Sequence, residues 1–242
     1  MNAGPPRVLL IEDDASLQRF VSLALEDLGV ELLTLPTVDA GLAELGHAAV
    51  ELILTDLMLP GRSGFELIDA LAANPTLRGT AKLVVFSAGL NPQTRQRLER
   101  PEVWRLLSKP CSLADLQACV RDALALRGEQ RCEPTAAPQD EPETARAIAD
   151  YFDGNETLYR SFRASCLQQF RADLVEGDRA LAASDAQALR RLAHSLKSVL
   201  LTLGHPGSAA LARALEDSSH AADWAVAMPQ WHELREQLQA LR

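Results

Sequence analysis

Glu12, Asp13, Asp56, Ser87 and Lys109 are the residues of this sequence best suited to phosphoryl chemistry, and each follows an apolar run of strand length: VLLI, LILT, LVVF and WRLL. Carboxylates gathered in one place repel and raise one another's pKa unless a cation is present, and hard oxygen donors suit Mg²⁺. On this reading Asp13 and Asp56 ligate the ion directly, together with the backbone carbonyl of Met58. Glu12 acts directly or through water. With its charge offset, the Asp56 carboxylate is a nucleophile for in-line attack on a phosphoryl group, which yields an acyl phosphate. The Lys109 ammonium and the Ser87 hydroxyl would hold phosphoryl oxygens as charge develops. Asp14, next to the helix start at Ala15–Ser16, reads instead as an N-cap.

A second candidate lies far downstream in DAQALRRLAHSLKSVLLTLG. Leu189, Leu192, Leu196, Val199 and Leu203 recur at three- and four-residue steps and form a buried stripe. His194 lies on the opposite side of that helix, so it is expected to face solvent with Arg190 one turn back and Lys197 one turn on. A neutral imidazole nitrogen with cationic neighbours is a phosphoryl acceptor. Only Lys82, Lys109 and Lys197 are lysines. Two of them fall at candidate phosphoryl sites, where a compact ammonium differs from a planar guanidinium.

The elements that must position these groups follow from periodicity. Strand-like runs at Val8–Ile11, near Leu32–Leu35, at Leu52–Thr55, at Leu83–Phe86 and near Trp104–Leu107 alternate with amphipathic stretches at Ser16–Leu28, Asp39–Gly46, Gly64–Ala73, Pro92–Glu99 and Ser112–Leu126. That alternation predicts a parallel α/β sheet covered on both faces by helices, a (βα)₅ unit, with ligands outside the carboxyl ends of the strands. Residues 128–143 carry three prolines, five acids and almost nothing apolar, and read as a tether. The expected organisation is therefore an α/β domain over 1–126, a linker over 127–143 and an all-α helical bundle over 144–242. Its helices are expected at Thr144–Tyr151, Glu156–Glu176, Asp185–Leu203, Ser208–Ser218 and Pro229–Leu241, with Gly177 and Pro229 as breaks.

With Asp+Glu 33 against Lys+Arg 24 and a net charge of −9, the chain lacks the basic stripe of a nucleic-acid groove. No apolar run approaches the roughly 20 residues that span a bilayer, and no signal peptide is recognisable, so a cytoplasmic protein without membrane insertion is expected. Cys111, Cys119, Cys132 and Cys166 have no metal-ligand spacing and read as free thiols of a reducing compartment. No P-loop spacing is present, so any kinase must be another protein.

The segments VLLIEDD, TDLMLPGRSG, VVFSAG and LLSKP, in that order, make residues 6–126 resemble the receiver domain of two-component response regulators. The resemblance implies a flavodoxin-like fold, Mg²⁺-dependent phosphorylation of Asp56 by a phosphohistidine donor, a conformational response at the fourth and fifth strands, and slow self-hydrolysis. One position departs from the pattern. Leu106 stands where receivers usually have an aromatic switch residue.

The stretch LAHSLKSVLLTLG followed by LARALED makes the second half resemble a histidine phosphotransfer (HPt) domain, with Gly204 matching a later glycine and Ser198 replacing the glycine that usually follows the lysine. The resemblance implies a helical bundle whose His194 exchanges phosphate with receiver aspartates. Together the two halves point to an intermediate of a multistep phosphorelay, served by a sensor histidine kinase or by another receiver or HPt protein. Two alternatives stand beside it: a docking module in which only Asp56 is phosphorylated, and a phosphate sink.

Overall fold

The computed structural model describes residues 4–125 and 143–241, and the chain divides into two compact units between residues 133 and 134. In the first unit, five strands form one parallel sheet: β1 (Arg7–Ile11), β2 (Glu31–Leu35), β3 (Leu52–Thr55), β4 (Lys82–Ser87) and β5 (Val103–Ser108). Their order is β2-β1-β3-β4-β5. This is the flavodoxin-like order, in which the connections leaving β1 and β3 diverge to opposite faces.

Around the sheet lie α1 (Ala15–Leu25), α2 (Val38–His47), α3 (Gly64–Ala73), α4 (Pro75–Arg78), α5 (Pro92–Arg97) and α6 (Leu113–Leu124). The single-turn α4 goes beyond the five expected helices; it starts on Pro75, whose fixed φ suits a first helical position. The inner strands are buried at nearly every position because helices cover both faces, which is why their sequences are continuous apolar runs. Leu9, Ile11, Ile53, Leu67, Ile68, Leu83 and Val85 belong to one core cluster. Leu106 packs half-buried against it, and Trp104 is held between Lys82 and Arg105 at 4.6 Å and 4.3 Å from its ring centroid.

Helix starts are written in the local sequence. Asp14 accepts the Leu17 N–H at 2.9 Å, the N-cap role expected of it. Ser63 and Glu66 form a reciprocal capping box at the start of α3, and Ser112 caps α6.

The second unit is all helical: α7 (Glu143–Phe152), α8 (Glu156–Ala182), α9 (Ala186–Thr202), α10 (Pro206–His220) and α11 (Trp224–Ala240). Thus Glu143, expected to end the tether, opens α7; the rest of the 127–143 segment lies outside the described residues. Two expected breaks are absent. Helix α8 runs through Gly177, where a Cβ would stand 2.1 Å from two atoms of the Trp231 ring, so the glycine makes room for a fully buried indole. Helix α11 begins at Trp224 and continues through Pro229. Phe152, Phe162, Leu189, Leu200, Leu215 and Trp231 are fully buried, while Trp224 is half-buried. The Tyr159 hydroxyl donates to the Leu203 carbonyl at 3.1 Å.

Candidate phosphoryl-transfer sites

Strand register assembles the first site. Ile11 pairs with Thr55 at the ends of β1 and β3, while β4 and β5 run on in register to the pair Ser87 and Ser108, so all four strands end at the same edge of the sheet. Glu12 and Asp56 emerge side by side from β1 and β3, the point where the order of the sheet reverses. Ser87 ends β4, and Lys109 follows β5.

Asp56, Glu12 and Lys109 are buried together. The Lys109 ammonium donates to Asp56 Oδ2 at 2.7 Å and also to a Glu12 carboxylate oxygen. Asp56 Oδ1 accepts the Leu57 N–H at 2.5 Å and the Met58 N–H at 3.3 Å. The nucleophilic carboxylate is therefore oriented by backbone on one oxygen and by ammonium on the other. Gly64 permits this close packing, since a Cβ there would lie 2.1 Å from the Asp56 carbonyl oxygen. The Ser87 hydroxyl is fully buried and accepts from the Gly89 N–H at 3.5 Å.

Electrostatics show the expected crowding. Burial, with Asp56 repulsion added and Lys109 attraction opposing, pushes Asp13 up to about 6. Burial likewise pushes Glu12 up against the pull of Lys109, with Asp56, Asp13 and Asp14 adding to the rise. Among the described residues no group of three or more His, Cys, Asp or Glu side chains converges closely enough to hold a metal ion. The cation that Glu12 and Asp56 share is Lys109. Their oxygens nonetheless have the hardness and charge that Mg²⁺ requires, and repulsion among Glu12, Asp13 and Asp56 is what a divalent ion would relieve.

The second site departs from expectation. His194 is 2 % exposed, not solvent-facing. The buried surface of α9 extends beyond a leucine stripe to Ala188, Ala193, His194, Ser198, Leu200 and Thr202, because α10, α8 and α7 all pack against it. A single-helix pattern registers one buried face, whereas a central bundle helix is covered from several directions. Arg190 and Lys197 are half-buried rather than openly exposed.

Glu216 on α10, which the sequence reading passed over, organises this site. His194 Nδ1 lies 2.7 Å from Glu216 Oε1, and the Lys197 ammonium donates to Oε2 at 2.5 Å. Burial opposes charge on Glu216, but the bonds from His194 and Lys197 outweigh it and bring the carboxyl down to about 2. A Nδ1–H donated to this carboxylate would leave the Nε2 lone pair as the nucleophile. The signal was present in sequence as the first of two adjacent acids in LARALED, on the helix that follows the tight connection at Gly204.

Among the described residues, Cys111, Cys119 and Cys166 are buried thiols outside any disulfide, and burial pushes the Cys111 thiol up to about 12; Cys132 lies outside the described residues. Among the described residues no helix is long and apolar enough to cross a membrane.

The response regulator receiver domain family matches residues 8–121, and the Hpt domain family matches residues 161–242. The sensory/regulatory protein RpfC of Xanthomonas campestris pv. campestris is 26% identical over 254 aligned residues, which cover 96% of this chain and 33% of RpfC. The sensor histidine kinase GacS of Pseudomonas protegens is 25% identical, over 85% of this chain and 23% of GacS. The chain thus spans about a third or less of these two relatives. The response regulator receiver protein CpdR of Brucella abortus is 32% identical over 111 residues, 46% of this chain and 89% of CpdR. With both modules in one polypeptide, the chain belongs to the two-component response regulator receiver family and joins that receiver domain to an HPt domain.

Proposed function

We propose that this protein is a phosphorelay intermediate that takes phosphate on Asp56 of its receiver and on His194 of its HPt domain. The receiver is assigned to residues 1–126 and the HPt domain to the residues from Glu143, where α7 opens, onward, with the stretch between them as the linker. The observation that carries the reading is the Asp56 carboxylate, fixed by the Leu57 and Met58 N–H groups and by Lys109 Nζ at 2.7 Å.

At the receiver, an Asp56 carboxylate oxygen attacks the phosphorus of a partner's phosphohistidine. An O–P bond forms, the N–P bond breaks, and the partner's imidazole leaves with the electron pair. Lys109 shifts from bridging Glu12 and Asp56 to pairing with a phosphoryl oxygen, and Ser87 donates to another. Glu12, Asp13, Asp56 and the Met58 carbonyl would hold Mg²⁺, which supplies charge neutralisation at the phosphoryl oxygens.

At the HPt domain, His194 Nε2 attacks the phosphorus of an aspartyl phosphate. The N–P bond forms, the P–O bond breaks, and the aspartate leaves as a carboxylate. The imidazole becomes a cation whose Nδ1–H stays on the Glu216 carboxylate. Lys197 pairs with the phosphoryl group in transit. Phosphate arrives from a sensor histidine kinase or from another receiver or HPt protein.

Burial of His194 favours a second reading, in which Asp56 phosphorylation alone controls docking. Phosphoryl transfer from labelled phosphohistidine and phosphoreceiver donors separates the two, using Asp56→Asn and His194→Gln. Acid-stable label on Asp56 and alkali-stable label on His194, each lost with its own substitution, is the expected result. Unimpaired onward transfer through His194→Gln would overturn the relay.

A further inference from the structure

His194 Nε2, the atom that must attack phosphorus, has essentially no accessible surface and no hydrogen-bond partner. Reaction requires a donor phosphorus within about 3–3.5 Å of that nitrogen, so the closed arrangement is unreactive. Three observations say what holds it closed. Glu216 is largely buried, it bonds the other ring nitrogen of His194, and the same carboxylate binds Lys197. One side chain of α10 thus ties both phosphoryl-handling groups of α9. An orphaned imidazole nitrogen also loses hydration in the closed state, which works against Glu216 and keeps opening within thermal reach.

We propose that Glu216 is a latch: it keeps His194 sealed and Lys197 occupied until an incoming phosphoryl anion competes for the same two groups and the contact between α9 and α10 at His194 opens. The inference rests on the phosphorelay reading and adds its regulation. A phosphoryl oxygen offers Lys197 the negative charge that Glu216 now provides, so the phosphorylated donor, and not its unphosphorylated form, releases the latch. Glu216 acts in both states, first holding the ring inward and then, through Nδ1, fixing the tautomer of the ring once Nε2 is exposed.

Carbethoxylation by diethyl pyrocarbonate, followed residue by residue with mass spectrometry on the full chain, reads access to imidazole without any phosphoryl chemistry. His47, His220 and His232 are exposed and serve as internal references. His194 should react at least about tenfold more slowly than these, and Glu216→Gln should speed it by at least about tenfold while leaving the references unchanged, the size expected for losing a charge-assisted bond. Glu216→Asp, with a shorter arm and the same charge, should give an intermediate rate and serves if the Gln variant fails to fold. Reaction of wild-type His194 at the reference rate overturns the latch, as does slow reaction in both variants. Wild-type protein whose His194 takes no label from a phosphoreceiver overturns the relay reading instead, whatever the carbethoxylation rates of the Glu216 variants.

Discussion

At residue scale, the receiver site is a balance between carboxylates that repel and one ammonium that binds them. Asp13 adds repulsion without a bond to Lys109 among the described contacts, so Asp13→Asn should stabilise the metal-chelated protein by about 1–2 kcal/mol, read from urea unfolding of the receiver. Removing the ammonium has the opposite sign. Lys109→Met leaves Glu12 and Asp56 buried without their shared cation and should cost about 3 kcal/mol in chelator. Equal stability of the two variants would mean that solvent or protonation already relieves the cluster.

At the scale of elements, much was legible because the relevant signals are local. The strands of the receiver read directly as apolar runs, and a chain leaving such a run into polar residues marks a strand end, so Glu12, Asp56, Ser87 and Lys109 could be placed before register was known. Asp14 was readable as a cap because capping involves residues only three apart. What was not legible depends on partners distant in sequence. Gly177 has the wrong propensity for a helix interior, yet Trp231, far along the chain, takes the space its missing side chain leaves. The burial of His194 depends on three neighbouring helices, and Glu216 gains its role only through the register of α9 on α10. Gly177→Ala therefore tests the tertiary explanation: helix propensity alone predicts stabilisation by roughly 1 kcal/mol, whereas overpacking against the buried indole predicts destabilisation by about 1–3 kcal/mol. The second outcome is expected, as a lower midpoint in chemical denaturation with the indole fluorescence altered.

At the scale of the whole molecule, the two units carry opposite responses to acid. Asp13 has a folded pKa of about 6 against an ordinary 3.8, so the folded receiver binds more protons than the unfolded chain in that interval. Its stability rises as pH falls from above 6 towards 3.8, and Glu12 and Asp14, also raised by burial, act in the same sense. Glu216 is the reverse case, about 2 when folded against an ordinary 4.5. The stability it lends the bundle is complete above 4.5 and is lost as pH falls towards 2, with a loss of about 2 kcal/mol after solvent screening. Calorimetry of the metal-chelated protein should then resolve two transitions. Between pH 7 and pH 5 the receiver transition moves up while the contribution of Glu216 to the bundle stays constant; below pH 4.5 the bundle loses that contribution. Glu216→Gln should remove this acid-labile part from the bundle alone, and Asp13→Asn should flatten the rise of the receiver alone. If either substitution shifted the pH response of both transitions equally, the two sites would be coupled through the chain, and electrostatics confined to each unit would not explain the acid response.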